Sequence, residues 1–137
     1  MIRSVLAVLA GIVVLTVTSF AIEAVANPWM MRMFPNALPN EAAMSHNVPA
    51  KLFMIAYTML CVAAGGYVTA WLARRSPVRH AVIMGAIEAA MTIGVMASFP
   101  GHAPLWSWIV GIGLILPAAW CGGMLRAKRA TVLEHWA

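Results

Sequence analysis

Long apolar stretches separated by short polar or basic turns set the pattern of this chain. Four runs stand out, over residues 4–26, 51–73, 80–99 and 104–125. Each is about twenty residues or more, enough at about 1.5 Å per residue to cross about 30 Å of hydrocarbon as a helix. The pattern predicts four transmembrane helices in a single membrane domain over residues 1–137. The first run begins after Arg3 and the second ends at the Arg74-Arg75 pair. The third stops at Pro100-Gly101, and the fourth opens at Pro104, a residue suited to a first helical turn. Trp106 and Trp108 stand where an aromatic belt is expected. Pro117, inside the fourth run, frees the carbonyl of Gly113 and predicts a kink.

The long connection, residues 27–50, carries Pro28, Pro35, Pro39 and Pro49, which predicts that no long helix runs through it. The segment from Pro28 to Phe34 reads as a short helical turn on the membrane surface, anchored by Trp29. Asn40 is placed to cap a second short helix, Glu41 to about Ser45. The first run also carries signal-peptide features, an early Arg and a closing Ala24-Val25-Ala26. Its apolar length exceeds that of an ordinary signal peptide, so it is read as a retained helix.

Each run holds small or polar residues at alternating steps of three and four. The seams are Ser4, Ala7, Gly11, Val14, Thr18 and Ala21; Thr58, Cys61, Gly65 and Thr69; Ala81, Gly85, Glu88, Thr92 and Val95; and Ser107, Gly111, Leu114, Ala118 and Cys121. Lipid does not drive helices together, so close backbone approach through small residues must do so. Spacing near 3.5 predicts a left-handed, tight bundle. The expected fold is therefore an all-α four-transmembrane-helix bundle with a short interfacial outer loop.

Composition agrees with this. The chain is 63% hydrophobic and 9% charged, whereas a soluble domain is about a quarter charged. The net charge of +5 does not point to nucleic acid, because the basic residues cluster at the ends of the apolar runs. Arg3, Arg74, Arg75, Arg79, Arg126, Lys128 and Arg129 fall on one side of the bundle, and Arg32 and Lys51 on the other. The positive-inside rule puts the termini and the Arg74, Arg75 and Arg79 turn in the cytoplasm. Cys61 and Cys121 lie inside apolar runs without CxxC spacing, and are expected to be small buried hydrophobes.

The stretch Gly65-Gly66-Tyr67-Val68-Thr69-Ala70-Trp71-Leu72-Ala73-Arg74-Arg75-Ser76-Pro77-Val78-Arg79-His80-Ala81, continuing to Gly85, resembles a pattern in small uncharacterised bacterial four-helix integral membrane proteins. There a GGY-x-x-A segment leads into a basic, proline-containing turn, then His-Ala and a glycine. The resemblance covers the second and third runs. It implies a bacterial inner-membrane protein and carries no activity or site residues with it.

Candidate chemistry is sparse. Glu88 is the ionisable residue deep within a run, so it is expected to be protonated or partnered. With Thr92 on its seam and Tyr67 on the preceding helix, it forms a candidate proton or polar intramembrane site. The bland alternative is a neutral acid bonded across helices. Glu23, near the outer boundary, is read as an interface carboxylate. Met30, Met31, Met33, Met44 and His46 gather in the outer connection, where thioethers and imidazole would suit copper(I); an apolar loop face resting on lipid explains the methionines equally simply. The other histidines read as interface residues.

The sequence therefore points to a non-catalytic inner-membrane protein acting as a structural or accessory subunit. Its expected partners are the lipid bilayer and other membrane subunits or copies of itself, with no cofactor and no nucleic acid. The alternative is a small proton-linked transporter using Glu88, and a third reading is periplasmic copper(I) handling.

Overall fold

The structure, a computed structural model, describes residues 2–73 and 76–136. Among these residues the chain forms five helices and no strand: α1 (Ile2–Met33), α2 (Glu41–His46), α3 (Val48–Leu72), α4 (Pro77–Ser98) and α5 (Leu105–Trp136). All but α2 are long and apolar enough to cross a membrane. Arg74 and Arg75, two of the three arginines of the basic turn, lie outside the described residues. Ser76, beside them, takes a left-handed backbone (φ 48) and turns the chain into Pro77.

Two helices extend well beyond their apolar runs. The sequence predicts a break after Ala26, yet α1 continues through Pro28 to Met33. One proline removes one hydrogen bond, and the extra turns bury Met30 against Leu38, Met44 and Ala50. At the other end of the chain, α5 continues past Leu125 through the basic tail and runs unbroken through Pro117. The capping expectation for Asn40 holds, and Asn47 adds a second cap that the sequence reading did not name. The Asn40 side chain accepts a hydrogen bond from the Ala43 N–H at 2.8 Å, starting α2. Asn47 does the same for Ala50 at 3.1 Å, starting α3 three residues before the apolar run.

The helices pack as a diamond. α3 touches every other helix, α4 lies against α1, α3 and α5, and α1 and α5 take opposite corners. The core cluster is Val8, Leu15, Cys61, Val62, Met84, Ile115 and Ala119. The seams on α3 and the first half of α4 are where the sequence put them: Cys61, Gly65, Thr69, Ala81 and Gly85 are buried. On α1 and α5 the seam slips. Leu15 rather than Val14 faces the core, and Ala21 is exposed. On α5 the buried line is Ser107, Ile115, Ala119 and the Gly122-Gly123 pair, while Leu114 and Cys121 are exposed. Cys121 is thus an outward-facing thiol, not the buried hydrophobe expected. A straight helix has 3.6 residues per turn, so a strict 3.5 pattern walks off the contact line within two heptads. Buried or half-buried positions on α1 instead recur at steps of eleven, as in Val8, Ser19 and Met30.

Packing is unequal along the bundle. In the half near the chain termini, helix backbones meet through glycine. A Cβ on Gly65 would stand 2.7 Å from the Gly11 carbonyl oxygen, and one on Gly66 2.5 Å from that of Ala119. Gly122 lies directly against the Ala63 carbonyl, and a Cβ on Gly123 would stand 2.8 Å from that of Ala81. In the half near α2, Gly94, Gly111 and Gly113 have nothing within 4 Å. Gly94 and Gly113 are on the exposed surface, whereas Gly111 lines a crevice between helices. Among the described residues, close backbone contact through glycine is on the terminal side.

Candidate functional site

The helices leave a crevice of about 170 Å³ on the loop side, between α1, α3, α4 and α5. Along α3 it runs from Lys51 to Val62, about 16 Å at about 1.5 Å per residue. Its deep end rests on Val62 and Ile115, both members of the core cluster.

Four elements bring polar groups to it. α1 contributes Glu23, α3 Lys51, Tyr57 and Thr58, α4 Glu88 and Thr92, and α5 Ser107 and Trp108. Tyr57 is 6% exposed and is held edge-to-face by Phe53, ring centroids 5.7 Å apart. Its Oη points to Glu23 Oε1 at 3.4 Å, longer than the roughly 2.5–3.0 Å of a strong O–H···O bond. Lys51 lies within electrostatic reach of the same carboxylate. Thr58 and Ser107 donate their hydroxyl protons to their own helices, Thr58 Oγ1 to Met54 O at 2.8 Å and Ser107 Oγ to Pro104 O at 2.7 Å. Among the described residues Glu88 receives no hydrogen bond; it is half-buried and opens on the crevice.

Glu23 also lines a wider chamber of about 600 Å³ above, with Asn27, Glu41, Ser45, His46 and His102. One carboxylate thus stands at the junction of an outer polar chamber and an inner, mostly apolar crevice. A third hollow, about 410 Å³ and lined by Trp29, Met30, Phe34, Leu38 and Phe53, lies where Trp29 was expected to anchor the surface.

Glu88 and Thr92 share the crevice, as their common seam suggests. Tyr67 does not join them. It lies ten residues further along α3, with its backbone N–H against Gly122, and Tyr57 is the phenol that faces the crevice. Met30 and Met44 are in an apolar cluster with Leu38 and Ala50, with Met31 packed against it. Met33 is 57% exposed and His46 faces the polar chamber. Among the described residues no group of three or more His, Cys, Asp or Glu is placed to hold a metal ion. Sequence reading missed the meeting of Glu23, Lys51 and Tyr57. A hint lay in three polar residues near the loop-side ends of two consecutive runs.

Fold and site together define a multi-pass membrane protein with four candidate spans and a loop-side polar crevice. No family model, curated protein or solved structure matches the chain.

Proposed function

We propose that the protein is a non-catalytic accessory component of a bacterial inner membrane, packing against other membrane subunits or copies of itself. Both termini and the Arg79 turn face the cytoplasm in this reading, and α2 faces the periplasm. What supports it is the one-ended crevice: its floor is the packed core, and below that floor glycines lock α1, α3, α4 and α5 together. A path through the bundle would have to part backbones already in contact. Outward surfaces rich in large apolar side chains, such as Phe20, Leu60 and Trp120, suit lipid or another helix. Purification in mild detergent, followed by cross-linking and mass spectrometry, tests this. A stoichiometric membrane partner or a defined homo-oligomer supports it, and a monomer without partners refutes it.

A second reading, proton-linked transport through Glu88, is favoured by the placement of that acid beneath Glu23 and Lys51. Flux in reconstituted vesicles that vanishes in Glu88→Gln would establish it and displace the accessory reading. Copper(I) handling by Met30, Met31, Met33, Met44 and His46 receives less support, because Met30 and Met44 are occupied in apolar packing.

A further inference from the structure

The crevice has a composition that selects one kind of ligand. Two carboxylates, Glu23 and Glu88, face a single ammonium, Lys51, so with all three ionised the lining carries one negative charge in excess. The Tyr57 hydroxyl points to Glu23, and Lys51 lies within electrostatic reach of the same carboxylate. Glu88, deeper, receives no hydrogen bond among the described residues. In surroundings of low polarity such a group calls for one positive charge.

The neutral polar groups narrow the choice. The hydroxyl protons of Thr58 and Ser107 are spent on Met54 O and Pro104 O, which leaves their oxygens with lone pairs to offer. With the Glu88 carboxylate they give the crevice three acceptor groups, beside the Thr92 hydroxyl and the Trp108 N–H, which can donate. The complementary partner is a group rich in donors, and an alkylammonium has three N–H donors and no acceptor. The remaining wall is apolar, from Met59, Val62 and Ile115, and Trp108 adds an aromatic ring able to receive a cation. A volume of about 170 Å³ compares with roughly 30 Å³ per water in the liquid, so it admits a ligand of a few heavy atoms.

We propose that the loop-side crevice is a binding site for a small monoalkylammonium ion, with its nitrogen on Glu88 and the acceptor oxygens of Thr58 and Ser107, and its short alkyl chain against Val62 and Ile115. The ligand enters from the chamber above, past Glu23 and Lys51. Binding requires no passage across the bundle, so the site is independent of whether the protein is an accessory subunit or a transporter.

The test uses the purified full chain in detergent and n-propylammonium as probe. Dicyclohexylcarbodiimide labels protonated carboxyl groups in apolar surroundings, and peptide mass spectrometry reads labelling at Glu88. For a Kd of order 1 mM, propylammonium at about 10 mM should reduce that labelling roughly tenfold, with sodium at equal ionic strength having little effect. Lys51→Met removes the competing positive charge and should move protection to lower concentration. Thr58→Val removes one acceptor and should move it higher. Unchanged labelling with propylammonium, equal protection by sodium, or failure of Glu88 to label at all overturns the proposal. Labelling that follows pH alone would mark Glu88 as a proton site only, which also overturns it. None of these results alters what co-purifies with the protein.

Discussion

At Gly65 a methyl group would meet the Gly11 carbonyl oxygen at 2.7 Å, and at Gly85 it would meet the Ala119 Cβ at the same distance. Those neighbours are helix backbone or a short side chain, so neither can swing aside. Gly65→Leu and Gly85→Leu should each destabilise the bundle by about 1–3 kcal/mol or more through forced separation of helices. Gly94 has open space around its Cβ position, and Gly94→Ala should be neutral or stabilising by up to about 1 kcal/mol through reduced backbone freedom. Thermal unfolding of the three variants in one detergent checks this, and equal losses at all three would refute it. Glu88 offers a second comparison. It opens on a crevice and receives no hydrogen bond among the described residues. Truncating it breaks no interhelical bond. Both Glu88→Gln and Glu88→Ala should therefore stay within about 1 kcal/mol of the parent protein. A loss above about 2 kcal/mol in Glu88→Ala alone would mean that the acid bridges helices after all.

At the scale of elements, α3 is the helix on which the others converge, and its start depends on one residue. The Asn47 side chain accepts from the Ala50 N–H at 3.1 Å, just before Pro49. Asn47→Ala should cost about 0.5–2 kcal/mol, and Asn47→Asp should restore most of it. Urea or thermal melts followed by circular dichroism decide the matter; indifference to Ala would show that packing alone fixes the helix start. Element existence was legible in the sequence because four apolar runs of membrane length leave few alternatives. Which face of each helix turns inward was legible only on α3 and the first half of α4. There glycine, cysteine and threonine mark the contact line themselves. On α5 the small residues Ala118, Ala119, Cys121, Gly122 and Gly123 lie on several adjacent lines, and only contact with Ala63, Val78 and Ala81 selects among them. The extension of α1 beyond Pro28 was hidden for a related reason: its stabilising partner is an apolar cluster built from α2 and the start of α3. The crevice was hidden because Glu23 and Tyr57 are thirty-four positions apart.

For the whole molecule, the distribution of Lys and Arg predicts an orientation that can be measured. In the sequence seven of the nine fall at or beyond the ends of apolar runs expected on the terminal side, and only Arg32 and Lys51 on the loop side. In a background lacking Cys61 and Cys121, a cysteine at Ser76 should be shielded from a membrane-impermeant reagent applied outside intact cells, while one at Asn40 should react. Ser76 and Asn40 are both exposed in the fold, so a failure to react reports the side of the membrane rather than burial. The opposite result would invert the bundle and place the crevice mouth in the cytoplasm.

The unequal glycine packing also divides the bundle mechanically. On the terminal side helix backbones touch at Gly65, Gly66 and Gly122 with no side chain between them to yield, and that end should act as a clamp. On the loop side a crevice lined by Glu23 and Glu88 lies between the helices. Any widening of that crevice should then pivot about the glycine contacts rather than separate the helices along their whole length.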